Sequence, residues 1–193
     1  AQATVMKMGD GGFRPAYNPQ LASDVDSLVI VGVEVATAGS DQGQMVPMIE
    51  QVRERCGQAT EAWLVDGGFV GHQQVEQASA HTTVYGPVPA AKDKTVDPHQ
   101  PKPDDSPAVA AWRARMGTDE AKAIYKNRAA TAECVNAQSR NRGLQQFRVR
   151  GLAKVKCVVL FFALAHNLMR MASLAPEMLA LGKGASAVSG IGA

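Results

Sequence analysis

The stretch Leu28 to Ala36, LVIVGVEVA, is β-branched and almost wholly apolar, and it reads as a strand buried on both faces. Residues Arg14 to Ala22 can be extended, and Asp24 to Ser27 has the chemistry of a turn, so the two strands are expected to pair. Met45, Met48, Ile49 and Val52 then recur at helical spacing, with Pro47 tolerable in the first turn and Gly57 as a stop, which predicts a helix over Met45 to Arg55. That helix must return to the sheet. It does so at Ala62 to Val65, a short apolar strand that ends at Asp66-Gly67-Gly68.

A weak helix over Val70 to Ala80 and a β-branched strand over Thr82 to Tyr85 continue the alternation. Gly86 to Pro107 holds six of the ten prolines and reads as a surface connection or insertion, poorly ordered. Ser106 as N-cap and Pro107 at the first position start a helix that runs to about Met116. Thr118-Asp119-Glu120 starts a longer one, with Gly143 as its stop. After an ambiguous LQQFRVRG, Leu152 to Ser173 is a strongly apolar helix, Pro176 to Leu181 another turn or two, and 182–193 a flexible tail. The first dozen residues show a Gly-rich turn and no clear element, and a start without Met reads as cut.

At 193 residues and 46% apolar content the chain can bury one sizeable core. Its formal charge of +2 hides an asymmetry: residues 1 to 110 hold 7 Lys/Arg against 14 Asp/Glu, and residues 111 to 170 hold 12 against 3. A basic C-terminal half is the footprint of a protein that meets a polyanion with one side. The spacing of Cys56, Cys134 and Cys157 suits reduced, partly buried thiols in a cytoplasmic protein, and the Cys and His residues show no zinc-site pattern. No signal peptide is evident, and the most apolar run, Cys157 to Ala165, falls well short of the ~20 residues of a membrane helix, so no membrane partner is expected.

Within the basic half, Lys126, Glu133 and Arg140 sit seven positions apart and share one helical face. Salt-bridge lacing on a solvated helix is the ordinary explanation. The imbalance argues against it: Asp119 and Glu120 belong to a helix start, which leaves Glu133 without a structural reason. Asp66 is the second acid of interest, because α/β sheets place ligand-contacting groups where a buried strand ends, although an Asp before Gly is also an ordinary turn residue. Two carboxylates brought together from a strand end and a helix would supply the hard oxygen ligands of a divalent metal for phosphoryl transfer.

The element order resembles a ribonuclease-H-like nucleotidyl transferase. More narrowly, AWLVDGGF, YKNRAATAECVNAQSRNRGLQQFRVRGLAKVK and ALAHNLMRM, with YNPQLASD and VIVGVEVATAGSDQGQM upstream, resemble the C-terminal part of a bacterial insertion-sequence DDE transposase. The resemblance covers roughly Met6 to Ala172. Its most specific piece is Tyr125, Arg128, Glu133 and Arg140, similar to the family's tyrosine-arginine-glutamate-lysine signature, with the gap between Arg128 and Glu133 one residue longer and Arg140 in place of lysine.

The resemblance implies an α/β, ribonuclease-H-like fold, with a mixed sheet flanked by helices and a helical C-terminal extension. Residues 14–172 would form a partial catalytic domain, 86–107 its insertion. Asp66 and Glu133 would be the second and third catalytic acids and the metal ligands, with Mg2+ or Mn2+ as cofactor. Tyr125, Arg128 and Arg140 would hold the phosphates of transposon ends. The family's first acid lies on a first strand, between the second and the fourth, and no such stretch is present; Asp24 is the fallback.

DNA, at transposon ends and target, is the expected partner, with a homodimer as the assembly of the full enzyme. Lys126, Arg142, Arg148, Arg150, Lys154 and Lys156 complete the expected DNA-binding set. A non-catalytic DNA-binding remnant and an unrelated helical DNA-binding regulator are the alternatives. His166 and Asn167 read as hydrogen-bonding residues at a buried boundary, and Leu168, Met169, Met171, Phe161 and Phe162 as core. Trp63 and Trp112 read as packing residues, Trp112 with the option of stacking on an unpaired base.

Overall fold

The computed structural model describes residues 3–176 and is a mixed α/β assembly. The expected turns at Pro176 to Leu181 lie outside the described residues except for Pro176, and the expected tail at 182–193 lies wholly outside them. The chain opens with a hairpin, β1 (Thr4–Lys7) paired antiparallel with β2 (Phe13–Ala16), around a turn in which Gly11 takes a φ of 82°. This corrects the expectation of no element in the first dozen residues. Its side chains are mostly exposed, so no apolar run advertises it in the sequence.

β3 (Asn18–Ser23) and β4 (Ile30–Ala36) form the expected antiparallel pair, with an irregularity at Ala22/Ser23. The pleat sends alternate residues of β4 to opposite sides. Gly32 meets α1 (Met45–Cys56), where a Cβ would lie 2.5 Å from Met48 Sδ and 2.9 Å from Val52 Cγ2. Val33 and Val35 pack with Val155 and Val159 of the apolar helix α5 (Leu152–Leu174). β4 is thus covered from both sides, as its composition demands.

β5 (Ala62–Leu64) and β6 (Thr83–Tyr85) pair in parallel through α2 (His72–Ala78). Their core joins Met45, Val75, Val84 and Trp112, the last from α3 (Pro107–Met116). Among the described residues the strands form three separate pairs where one continuous mixed sheet was expected.

α3 begins as predicted, with Ser106 Oγ accepting from the Val109 amide. α4 (Asp119–Asn141) begins with Thr118 Oγ1 accepting from the Ala121 amide, and Gly143 follows its end with a φ of 99°. The Pro-rich segment before α3 is irregular but tied down, contrary to the expectation of poor order. Trp112 Nε1 donates to Gly86 O at 3.2 Å, and the buried Arg113 reaches Asp105 at 2.7 Å, Pro98 O at 3.1 Å and His72 Nε2 at 3.0 Å. Trp112 is fully buried, which leaves packing as its role.

At 23 residues and a mean hydropathy of 1.6, α5 is long and apolar enough to cross a membrane, although only 17% of that window is buried. Its polar residues nonetheless fasten it to the strand layer. His166 Nε2 lies 2.8 Å from Leu28 O, Asn167 bonds both the amide and the carbonyl of Ile30, and Arg170 donates to Ser27 O. These are the boundary hydrogen bonds expected of His166 and Asn167. Phe161, Leu168 and Met169 depart from the core reading: they are 66%, 46% and 43% exposed on the outward side of the helix. An apolar helix offers no polar stripe to say which face turns inward. Cys56 and Cys157 are exposed free thiols too, and Cys134 alone is partly buried.

Candidate nucleic-acid and metal site

A groove of about 830 Å³ runs between β3 and β5, with α1 and α4 contributing to its walls. Asp66 opens into it just past the end of β5, where Gly67 and Gly68 let the backbone turn. Asp66 Oδ1 accepts from the Gly68 amide at 2.9 Å, and Oδ2 lies 3.5 Å from Arg128 Nη2 of α4. The Asx turn explains why Asp stands before Gly, and the arginine contact goes beyond what a turn requires.

A second carboxylate shares this corner. A methyl group on Gly68 would meet Asp66 Oδ1 at 3.1 Å and Asp41 Oδ2 at 3.2 Å, so the two acids flank one glycine. Asp41 is held by the side-chain amides of Asn18 and the buried Gln20, whose Nδ2 and Nε2 each donate to its Oδ1 at 2.7 Å. Asp41 lies in the loop between β4 and α1, outside every motif of the sequence. The available signal was its place just ahead of α1, in a loop that must return to the end of the sheet.

Tyr125 and Arg128 both come to Asp66. Burial raises the Tyr125 hydroxyl above its ordinary value of 10.0, Arg128 pulls it down, and the charge of Asp66 adds to the rise. Spacing on α4 explains this: Tyr125, Arg128, Thr131 and Ala132 fall on one face, three or four residues apart. Arg128, Thr131, Ala132 and Asn136 line the groove. Glu133 is rotated by about 100° from Ala132. It is exposed and makes no side-chain hydrogen bond or ion pair among the described residues.

Asp24 lies at the other end of β3 from Asn18 and so away from Asp66. It accepts from the Ser27 hydroxyl and amide, which hold its carboxyl below the usual range. That is the work of a turn residue.

The basic residues divide into engaged and free. Lys156 pairs with Glu34 at 2.8 Å, and Arg142 reaches His166 Nδ1 at 3.2 Å and Gln138 Oε1 at 3.4 Å. Lys126, Arg140, Arg148, Arg150 and Lys154 are exposed on α4, the following loop and the start of α5. Arg113 and Arg115, which add to the positive charge of this half of the sequence, are turned inward. Arg115 bonds Val84 O and lies over the Tyr85 ring.

Residues 91–172 match the family model described as the transposase DDE domain. This stretch, somewhat under half of the chain, is similar to the DDE transposase family. The match contains Tyr125, Arg128, Glu133 and Arg140 and the Pro-rich segment from residue 91, and it leaves Asp66 and Asp41 outside. It favours the transposase reading over an unrelated helical regulator. No curated protein and no solved structure matches the chain.

As hard oxygen donors, Asp66 and Asp41 suit a divalent cation such as those used by DDE transposases. Among the described residues no group of three or more His, Cys, Asp or Glu side chains is arranged to hold one.

Proposed function

We propose that the chain is the catalytic-domain portion of a DDE transposase that nicks DNA and transfers strands at transposon ends, with Mg2+ or Mn2+ as cofactor. Residues 14–172 make up that portion, in a ribonuclease-H-like arrangement. The observation that carries the reading is Asp66, which stands at the end of β5 beside Arg128 and Tyr125 of a helix lying within the transposase DDE match.

In this reading Asp66 and Glu133 are the catalytic carboxylates and would hold the metal, which requires α4 to turn Glu133 toward the groove. Asp41 stands next to Asp66 as a further oxygen donor. A bound divalent ion supplies charge stabilisation for an attacking and a leaving oxygen. Arg128 lies beside Asp66, where its planar guanidinium can hold a phosphate in two-point contact while limiting carboxylate repulsion. Tyr125, half-buried and kept neutral, can donate its hydroxyl proton to a phosphate oxygen. Arg140 and Lys126 on the outer side of α4, with Arg142, Arg148, Arg150, Lys154 and Lys156 beyond, track the backbone of the DNA.

Nicking of transposon-end DNA, measured with Mg2+, Mn2+ or EDTA, tests the assignment. The protein is used as this chain and in any longer form that contains it. Metal-dependent cleavage that is abolished by Glu133→Gln supports it, and cleavage unaffected by that change refutes it.

A second reading is a DNA-binding remnant without catalysis, favoured by the outward position of Glu133 and by the lack of a three-acid cluster among the described residues. It predicts salt-sensitive DNA binding with no metal-dependent cleavage in either form of the protein.

A further inference from the structure

α5 has two unlike faces. Val155, Val159, Ala163 and His166 are buried, and His166, Asn167 and Arg170 bond the backbone of residues 27–30 from that side. On the other side Leu160, Phe161, Leu164, Ala165, Leu168 and Met169 are exposed, at the steps that keep side chains on one helical face. No charged residue is exposed between Cys157 and Ala172. Phe161 is 66% exposed and Leu164, at the centre, 54%. The face leaves on the order of 500 Å² of contiguous apolar surface in water, the upper end of what a monomer carries.

We propose that this face of α5 is the interface with a second copy of this chain, the two helices packing antiparallel about a two-fold axis at Leu164 and Ala165.

Two such faces together bury about 1,000 Å², the size at which a specific interface begins. The stripe from Cys157 to Ala172 is about 22 Å long at 1.5 Å per residue, and Leu164 and Ala165 are its midpoint. Antiparallel pairing therefore sets Phe161 against Leu168 and Leu160 against Met169 of the second copy, and each contact occurs twice. Charge chooses the direction. Arg148, Arg150 and Lys154 are exposed at the N-terminal end of the stripe, and no exposed cation stands at its other end among the described residues. Parallel helices would set the two cationic clusters side by side and align their dipoles, whereas antiparallel ones part the clusters and oppose the dipoles.

Other occupants fit less well. Residues 177–193 bring three large apolar side chains before their first glycine, Met178, Leu179 and Leu181, too few to cover the five of the stripe. A helix that lies on lipid carries Lys and Arg along its length, and α5 has none from Cys157 to Met169. A charged partner helix finds no residue in the stripe to pair with.

Size exclusion with light scattering, on the purified chain over a range of concentrations, tests the interface. The wild type is expected to form a dimer. Phe161→Glu or Leu168→Lys alone should weaken association at least about thirtyfold, the scale of a central anchor, with an unchanged circular dichroism spectrum. Phe161→Glu combined with Leu168→Lys should restore it in part, because only antiparallel pairing sets those two positions against each other. Under mild oxidation Leu164→Cys should link two chains at the axis, while the exposed native Cys157, carried to opposite ends of the pair, should not.

A chain that stays monomeric at its highest soluble concentration overturns the proposal, as does a dimer indifferent to both single substitutions. Cross-linking through Cys157 and not through Leu164→Cys overturns it as well. Capture by phosphatidylcholine vesicles that depends on Phe161 and Leu168, with no dimer in solution, gives the face to lipid and has the same effect. If a charged variant misfolds, the Leu164→Cys cross-link decides alone. Neither DNA nor metal enters these measurements, so they stand or fall independently of the catalytic reading.

Discussion

Arg128 of α4 reaches Asp66 at the end of β5 across 62 positions of sequence, with Nη2 and Oδ2 3.5 Å apart. At that separation, and with the carboxylate partly exposed, the pair adds little to stability. Its consequence is local: a guanidinium and a carboxylate occupy one end of the groove with Tyr125 against them.

Asp66→Asn in a cleavage-competent form of the protein is expected to lower metal-dependent nicking by on the order of 10²–10³-fold or more, the scale seen when one charge-stabilising group is lost. Arg128→Lys keeps the charge but removes the planar two-point grip, and is expected to weaken end-DNA binding more than it alters folding. Rates at saturating DNA separate the two effects. A wild-type rate for Asp66→Asn would remove it from the chemistry.

The close approach of α1 to β4 is built on Gly32. An added Cβ would sit 2.5 Å from Met48 Sδ, 2.9 Å from Val52 Cγ2 and 3.0 Å from the Ala22 Cβ. Gly32→Ala is therefore expected to destabilise the chain by about 1–3 kcal/mol, the usual range for overpacking a core. Urea unfolding measures it, and Gly43→Ala is not a suitable control because its φ of 85° adds strain of its own. Gly9→Ala, with nothing within 4 Å of the added methyl, is.

Arg113 and Asp105 form a buried ion pair, with side chains 4% and 2% exposed. Arg113→Met should cost roughly 3 kcal/mol, because it strands a carboxylate and frees the Pro-rich segment. Burial pushes the Asp105 carboxyl up, but the Lys102 amide and the Arg113 guanidinium outweigh it and leave it below the ordinary 3.8. The folded value is thus the lower one, so this contribution is present above 3.8 and is lost as pH falls through the folded value. Thermal melts between about pH 7 and pH 3 should show a steeper acid loss for wild type than for Asp105→Asn.

Arg148, Arg150 and Lys154 are exposed, whereas Lys156 is paired with Glu34. Replacing each of the first three by Gln should reduce the slope of log K against log salt for duplex DNA by up to about 0.9 for every phosphate that is no longer neutralised. Lys156→Gln should change the slope less. A slope unchanged in the triple variant would show that this patch does not meet DNA.

Much of the element order was legible because each segment carries its own period. The run LVIVGVEVA, the i, i+3, i+4, i+7 spacing from Met45, the Ser106-Pro107 start and the Thr118 cap each name a local conformation whatever surrounds them. The first hairpin was not legible, since its side chains are mostly exposed and leave no apolar signature. The outward face of α5 was not legible either, because nearly every face of that helix is apolar.

For the site, the chain alone marks Asp66 by its place at a strand end before two glycines, and groups Lys126, Glu133 and Arg140 by helical spacing, while the set Tyr125, Arg128, Glu133 and Arg140 rests on the family resemblance. Both are local properties. Which acid stands beside Asp66 is decided by how the loop before α1 folds against Asn18 and Gln20, and it places Asp41 there. How far Glu133 turns from the groove is decided by how α4 rotates to bury Val135 and Thr131. Periodicity assigns a residue to a face; only the packing of several faces at once chooses which face looks into the groove and which basic residues, like Arg113, are turned inward.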